Sequence, residues 1–230
     1  DLDNPYITYE KEYIESLWWI LKQFYDKGLL YKGYTIQPYS PSDGTGLSSH
    51  ELNQPGCYKE VKDTSIVGQF KVIRDSKSEF LFNDIKEGDV YILAWTTTPW
   101  TLPSNTALAV GENIEYVLVE TKNQYTKKKV NVLLAKETYL RYFKIVLFQD
   151  NVLWEGGPER PIVINPIESG NKKFIVKGKQ LVGVRYEQLI PYVQPDFSEN
   201  AFRVIIGDFV TTEDGTGVVH IAPTFGADDF

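Results

Sequence analysis

One sixteen-residue string, Trp95-Thr96-Thr97-Thr98-Pro99-Trp100-Thr101-Leu102-Pro103-Ser104-Asn105-Thr106-Ala107-Leu108-Ala109-Val110, constrains this chain more than any other stretch. It follows Asp89-Val90-Tyr91-Ile92-Leu93-Ala94, an apolar, β-branched and aromatic run that reads as a buried strand. Pro99 removes a backbone donor and biases Thr98 toward extended conformations, so regular sheet pairing stops there. The expected product is a strand end leading into a bent, rigid loop. That loop carries the hydroxyls of Thr96, Thr97, Thr98 and Thr101 and the amide of Asn105. Such groups are neutral donors and acceptors, suited to holding water, a sugar or an ester. Taken alone, three consecutive threonines read more readily as ordinary strand residues.

The rest of the composition narrows the setting. With 230 residues, 42% of them hydrophobic, the chain is expected to form a globular protein without a membrane span, because no apolar run approaches the ~20 residues a span requires. Cys57, the single cysteine, leaves no internal disulfide or thiolate cluster and fits a reducing, cytoplasmic setting. A net charge of −7 argues against broad, unassisted nucleic-acid binding. A domain that grips only the tip of an RNA within a larger protein needs no basic footprint. The chain opens at Asp1 and contains no methionine, and it is read as a fragment.

Residues Glu10 to Lys27 carry apolar side chains at Ile14, Leu17, Trp18, Leu21, Phe24 and Tyr25, the spacing of a helix with one buried face. Thr8 is the expected N-cap and Gly28 the expected stop. Leu29 to Gln37 reads as extended, and Pro38 to Gly56, rich in Ser, Pro, Gly and Asn, as connector. From Val61 onward the pattern turns to strands, expected at Ile66–Ile73, Val90–Trp95, Tyr116–Glu120, Val130–Ala135, Lys144–Phe148, Pro161–Asn165 and Phe174–Val176. Lys136–Phe143 suggests a short helix, and Lys127-Lys128-Lys129 a hairpin tip. The expected class is α+β, mainly β, with a barrel-like core, an N-terminal helix and a few short helices. Residues 1–62 form its lead-in and connector, and 63–230 its β-rich core.

The C-terminal thirty residues bring the second concentration of chemistry. Phe202–Ile206 and Val218–Ile221 read as a strand and its return across the turn Thr212-Glu213-Asp214-Gly215-Thr216-Gly217. Beyond lie His220, Asp228 and Asp229. From residue types alone three readings stay open: a core histidine with helix-capping aspartates, a set of metal ligands, or a polar pocket. No Gly-x-Ser-x-Gly elbow is present to support a nucleophilic triad.

Both strings resemble the editing domain inserted in isoleucyl-tRNA synthetases. Thr98, followed by Pro99-Trp100-Thr101, stands at the third threonine's place, where valyl and leucyl relatives typically carry the arginine of Thr-Thr-Arg-Pro, and His220 within Gly215-Thr216-Gly217-Val218-Val219-His220-Ile221-Ala222-Pro223 also favours the isoleucyl branch. Further resemblance lies in the opening, including Tyr13–Trp19 and Gly28–Gly33, and in Gly178–Tyr192, so it covers nearly the whole chain. Where the family often has cysteines this sequence has Ser40 and Asp43, so zinc is not expected. The resemblance implies hydrolysis of valine from the tRNA for isoleucine, with isoleucine rejected by size. Asp229 matches the editing aspartate that grips the α-ammonium. Thr96, Thr97, Thr98 and Asn105 match positions that line the pocket and place water, with Trp95, Thr101 and Asp228 beside the substrate. His220 matches the residue set against the amino-acid side chain. The partners implied are the 3′ end of the tRNA and the remainder of the parent synthetase. The editing reaction would need no cofactor, ATP serving only the parent's synthetic site. Neither synthetic signature, His-Ile-Gly-His nor Lys-Met-Ser-Lys-Ser, is present. The alternatives are a non-catalytic module for the tRNA 3′ end and an editing domain of valyl or leucyl type.

Overall fold

Amphipathic spacing and a terminal glycine make the first element. The computed structural model describes residues 5–143, 146–148, 151–153, 163–166, 168–169, 172–192, 199–227 and 229. The chain divides into two units, Asp1–Ile36 and Gln37–Phe230. In the first, helix α1 spans Lys11–Asp26. It stops at Gly28, whose φ of +70° allows the Gly28 N–H to reach the Tyr25 carbonyl and the Leu29 N–H the Phe24 carbonyl. The N-cap is Glu10, extended at ψ 150° and without a side-chain cap bond. Thr8 lies two residues too early for its hydroxyl to meet the first-turn N–H groups. The expected buried face is not formed within this unit either: Ile14 is 41% and Trp18 67% exposed. One helix and an irregular segment supply no second layer to cover it.

The second unit opens with a small hairpin, β1 (Tyr39–Ser40) and β2 (Thr45–Gly46), then a helical turn, α2 (Ser49–Leu52), where only connector was expected. Ser48 and Glu51 close a reciprocal capping box on α2. The Ser40 hydroxyl donates to Asp43 at 2.6 Å, so the two residues at the cysteine positions satisfy each other. There follow β3 (Ile66–Lys71), β4 (Asp89–Thr96), β5 (Ala107–Val110), β6 (Glu115–Lys122), β7 (Lys129–Ala135) and α3 (Tyr139–Tyr142). Then come β8 (Val146–Phe148), β9 (Asn151–Leu153), β10 (Val163–Pro166), β11 (Glu168–Ser169), β12 (Lys172–Lys173), β13 (Ile175–Lys177), α4 (Gly178–Leu181), β14 (Arg203–Ile206) and β15 (Val218–Ile221). Lys144, Ile145, Pro161 and Ile162, expected as strand residues, lie outside the described residues.

The largest sheet runs β10-β6-β7-β4-β3, with β13 also on β6. β6 and β7 form the antiparallel hairpin expected around the lysine run, and β4 lies parallel to β7. Asn123 accepts from the Tyr125 and Thr126 N–H groups at that hairpin's tip. The sheet is open. Among the described residues no ladder joins β3 to β10 or β13, which corrects the barrel-like expectation. The physical reason lies in side-chain alternation. Tyr116 and Leu118 of β6 enter one apolar cluster, with Phe70, Ile92, Leu108, Tyr186 and Val204, while Val117 and Val119 enter another with Leu93, Val132, Tyr139 and Phe143. Apolar partners on both faces bury this sheet as one layer among others, without closure.

The second sheet holds β5 between β14 and β15. β14 pairs with it in parallel and β15 antiparallel, so β15 is not the direct return of β14 that the sequence suggested. Ala107, Leu108, Ala109 and Val110 are all buried, which suits them to the central position. The connection from 207 to 217 is also too long for a tight hairpin.

Candidate active site

Strand β4 delivers Trp95 and Thr96 to its end, and Pro99 then turns the chain into a 3-10 helix over Pro99–Ser104. Asn105 caps that helix, its N–H bonded to the Leu102 carbonyl. β5 follows directly, and its register with β15 sets His220 opposite Leu108. In this way residues more than a hundred positions apart in the chain meet at one cavity of about 530 Å³.

The turn Gly215-Thr216-Gly217 explains how β15 is held there. Gly215 and Gly217 take φ of +64° and +71°. A Cβ on Gly217 would lie 2.3 Å from that of Ala135, and one on Gly215 would lie 2.9 Å from the Trp95 ring. Between them the buried Thr216 hydroxyl donates to the Leu93 carbonyl at 2.7 Å, and its own carbonyl accepts from the Ala135 N–H. Tyr116 adds a further tie, donating to the Gly217 carbonyl at 2.7 Å and accepting from the Gly111 N–H at 3.0 Å.

Trp95, Thr96, Thr97, Thr98, Thr101, His220 and Asp229 all line the cavity. Thr96 is buried, and its hydroxyl accepts from the Thr98 N–H at 3.1 Å and lies 3.2 Å from the Thr98 hydroxyl. Thr97 and Thr98 are exposed. The Asp229 carboxylate accepts from the Ala222 N–H at 2.8 Å, and a side chain at Gly226 would collide with it. Asn105, 3% exposed, is not in the lining but lies behind His220. Its Nδ2 donates to the Ala107 carbonyl at 2.8 Å and meets His220 Nδ1 at 2.9 Å, while its Oδ1 accepts from the Tyr186 hydroxyl at 2.7 Å. On the other side of the ring, His220 Nε2 meets the Thr101 hydroxyl at 2.9 Å, and that hydroxyl donates to the Thr98 carbonyl at 2.8 Å. Asp228 lies outside the described residues.

Sequence reasoning did not nominate Trp100, Phe209, Asp214 or Phe225, which also line the cavity, nor Tyr186 behind it. Trp100 sits inside the diagnostic string, where its position alone was signal enough. The others share no local pattern with it, and only folding brings them near. Among the described residues the lining holds two carboxylates, Asp214 and Asp229, and no lysine or arginine. A cavity of this charge suits an ammonium group better than a phosphate. His220 is 8% exposed; burial lowers its basicity below the usual 6.5, and the nearby Asp229 charge opposes that shift. The hydroxyls and the carboxylate can bind an amine and order water, and no strong nucleophile stands among them.

A family model for tRNA synthetases class I (I, L, M and V) matches residues 1–209. The whole chain is similar to isoleucine--tRNA ligases: 59% identical over 229 residues to that of Cytophaga hutchinsonii and 57% over 232 residues to that of Porphyromonas gingivalis. A more distant one, from Clostridium tetani, is 42% identical over 231 residues. Each match covers 100% of this chain but only 18–19% of the relative, so the chain spans about a fifth of the length of the curated relatives it matches. Among solved structures, the P. knowlesi cytosolic leucyl-tRNA synthetase editing domain aligns with TM-score 0.47 and 12% identity, over 69% of this chain and 56% of that one. With a family match that runs from residue 1 to residue 209, the chain belongs to the class I tRNA synthetases (I, L, M and V).

Proposed function

We propose that this chain is the proofreading domain of an isoleucine--tRNA ligase, and that it hydrolyses the ester of valine misattached to the tRNA for isoleucine. The observation that carries this reading is the convergence of the threonine string and the His220–Asp229 segment on one cavity lined by hydroxyls and carboxylates, without lysine or arginine among the described residues. Asp229 grips the α-ammonium, a directional contact in a partly enclosed site. Thr96, Thr97 and Thr98 hold the ester and the attacking water. Water adds to the ester carbonyl, the bond to the ribose oxygen breaks, and that oxygen takes the proton, releasing valine and intact tRNA. Threonine hydroxyls are poor bases, so the rate comes from positioning the reactants, with the neighbouring ribose hydroxyl assisting. His220 stands against the aliphatic group and leaves room for valine but not for isoleucine.

The need for a second pocket follows from energetics. One methylene discriminates by only about 1–3 kcal/mol, too little for a synthetic site that accepts isoleucine to exclude valine. The parent enzyme would attach isoleucine to its tRNA with ATP, and this chain would correct what that site admits.

The test is deacylation of valyl- and isoleucyl-tRNA by the chain. Asp229→Ala is expected to abolish release of valine, and His220→Ala to open the pocket to isoleucyl-tRNA. If Asp229→Ala cleaves at the wild-type rate, the assigned chemistry is wrong. If it keeps tRNA affinity and the wild-type chain never cleaves, the domain only binds.

A further inference from the structure

We propose that Asn105 and Tyr186 are positioning residues that fix the tautomer of His220, so that the ring meets the cavity as a neutral wall of carbon. Hydrogen-bond roles dictate the assignment. The carbonyls of Ala107 and Ile221 can only accept, and both face the Asn105 nitrogen, at 2.8 and 3.5 Å. That orients the amide: its Nδ2 must also donate to His220 Nδ1, which therefore carries no proton. The ring proton sits on Nε2 and is donated to the Thr101 hydroxyl, whose own proton goes to the Thr98 carbonyl. The Tyr186 hydroxyl donates to the remaining amide oxygen and completes the set. Every polar atom in the chain from Tyr186 to Thr98 has one role, and a protonated Nδ1 would oppose one N–H to another.

With both nitrogens occupied, His220 is neither a general base nor a hydrogen-bond partner for substrate; it acts through shape. An imidazolium would also compete with the substrate ammonium for Asp229. The titratable groups around it are Asp214 and Asp229 of the lining, which favour the charged ring, and Tyr186 behind the amide. The amide donor opposes the two carboxylates. Tyr186 suits its task because its ring packs edge-on against Phe70 and Phe202, with centroids 5.3 and 6.2 Å apart, and this packing aims the hydroxyl at the amide.

The effect on selectivity rests on the editing reading; the tautomer does not. The chain holds two histidines, so long-range ¹H–¹⁵N spectra of the labelled protein, with His50→Gln for assignment, report on His220 directly. The expected spectrum is a single Nε2–H form at about pH 8, persisting to lower pH than the neutral ring of an ordinary histidine. An Nδ1–H form at that pH, or titration at or above the ordinary 6.5, overturns the proposal without any variant. Tyr186→Phe, which keeps the ring packing, is expected to mix the tautomers and to raise isoleucyl- relative to valyl-tRNA cleavage about tenfold, the low end of one-methylene discrimination. An unchanged spectrum with unchanged selectivity removes Tyr186 from the role. Asn105→Asp replaces the donor by an acceptor and is expected to place the proton on Nδ1. If the wild-type chain never releases valine while His220 holds the Nε2–H form, the editing reading falls and the tautomer assignment stands.

Discussion

Tyr116 is fully buried, and its hydroxyl ties the Gly217 and Gly111 backbones together. Burial raises its pKa from 10.0 to about 12, with the Gly111 N–H acting in the opposite direction. Folding therefore favours the neutral phenol. The stability it contributes is present in full below pH 10 and is lost as pH rises toward about 12. A rise of that size corresponds to about 2–3 kcal/mol. Burial pushes Tyr139 and Tyr186 in the same direction, so a variant is needed to isolate Tyr116. Tyr116→Phe is expected to be less stable at neutral pH by about 1–3 kcal/mol, for the Gly217 and Gly111 groups it leaves unpaired. That gap should narrow between pH 10 and 12 in urea titrations followed by fluorescence. A gap constant across that range would mean that Tyr116 ionises as an exposed tyrosine does. At this scale the sequence was informative where neighbouring side chains share one string: Thr96, Thr97 and Thr98 line one cavity. It gave no site role to Tyr186 or Asp214, whose importance depends on a neighbour far away in the chain.

Among elements, the Gly215-Thr216-Gly217 turn carries the most consequence, because it seats β15, and with it His220, beside the end of β4. Both glycines are in left-handed conformations, and the space beside Gly217 is already filled by Ala135. Gly217→Ala is expected to cost about 2–4 kcal/mol through backbone strain and overpacking together. Chemical denaturation should show a lower midpoint with an unchanged slope; a loss below about 1 kcal/mol would mean that the turn relaxes freely. Most strands were legible as β-branched and aromatic runs. β5 was not, since Ala107-Leu108-Ala109-Val110 has no alternation and follows a proline-rich loop. Its central position, fully buried, is what makes it a strand. The same omission produced the expectation that β14 and β15 pair directly.

Across the whole molecule, every buried apolar side chain among the described residues belongs to the unit Gln37–Phe230. A chain starting at Gln37 is therefore expected to unfold cooperatively, with a midpoint within about 2 °C of the full chain, a shift that corresponds to about 0.5–1 kcal/mol for a domain of this size. Loss of the cooperative transition in calorimetry would show that residues 1–36 complete the core. By itself the sequence determined the class, the hydroxyl-bearing loop at the end of β4, the glycine stop of α1 and the two strings whose residues meet at the cavity. Each of these is local, set by propensity, proline and glycine geometry, or a contiguous motif. The tertiary structure alone decided that the sheets stay open and that β5 separates β14 from β15. It also decided that Asn105 and Tyr186 stand behind His220 rather than in the cavity. These depend on which faces find apolar partners and which polar atoms find complementary ones, and such pairings form between residues that the chain holds far apart.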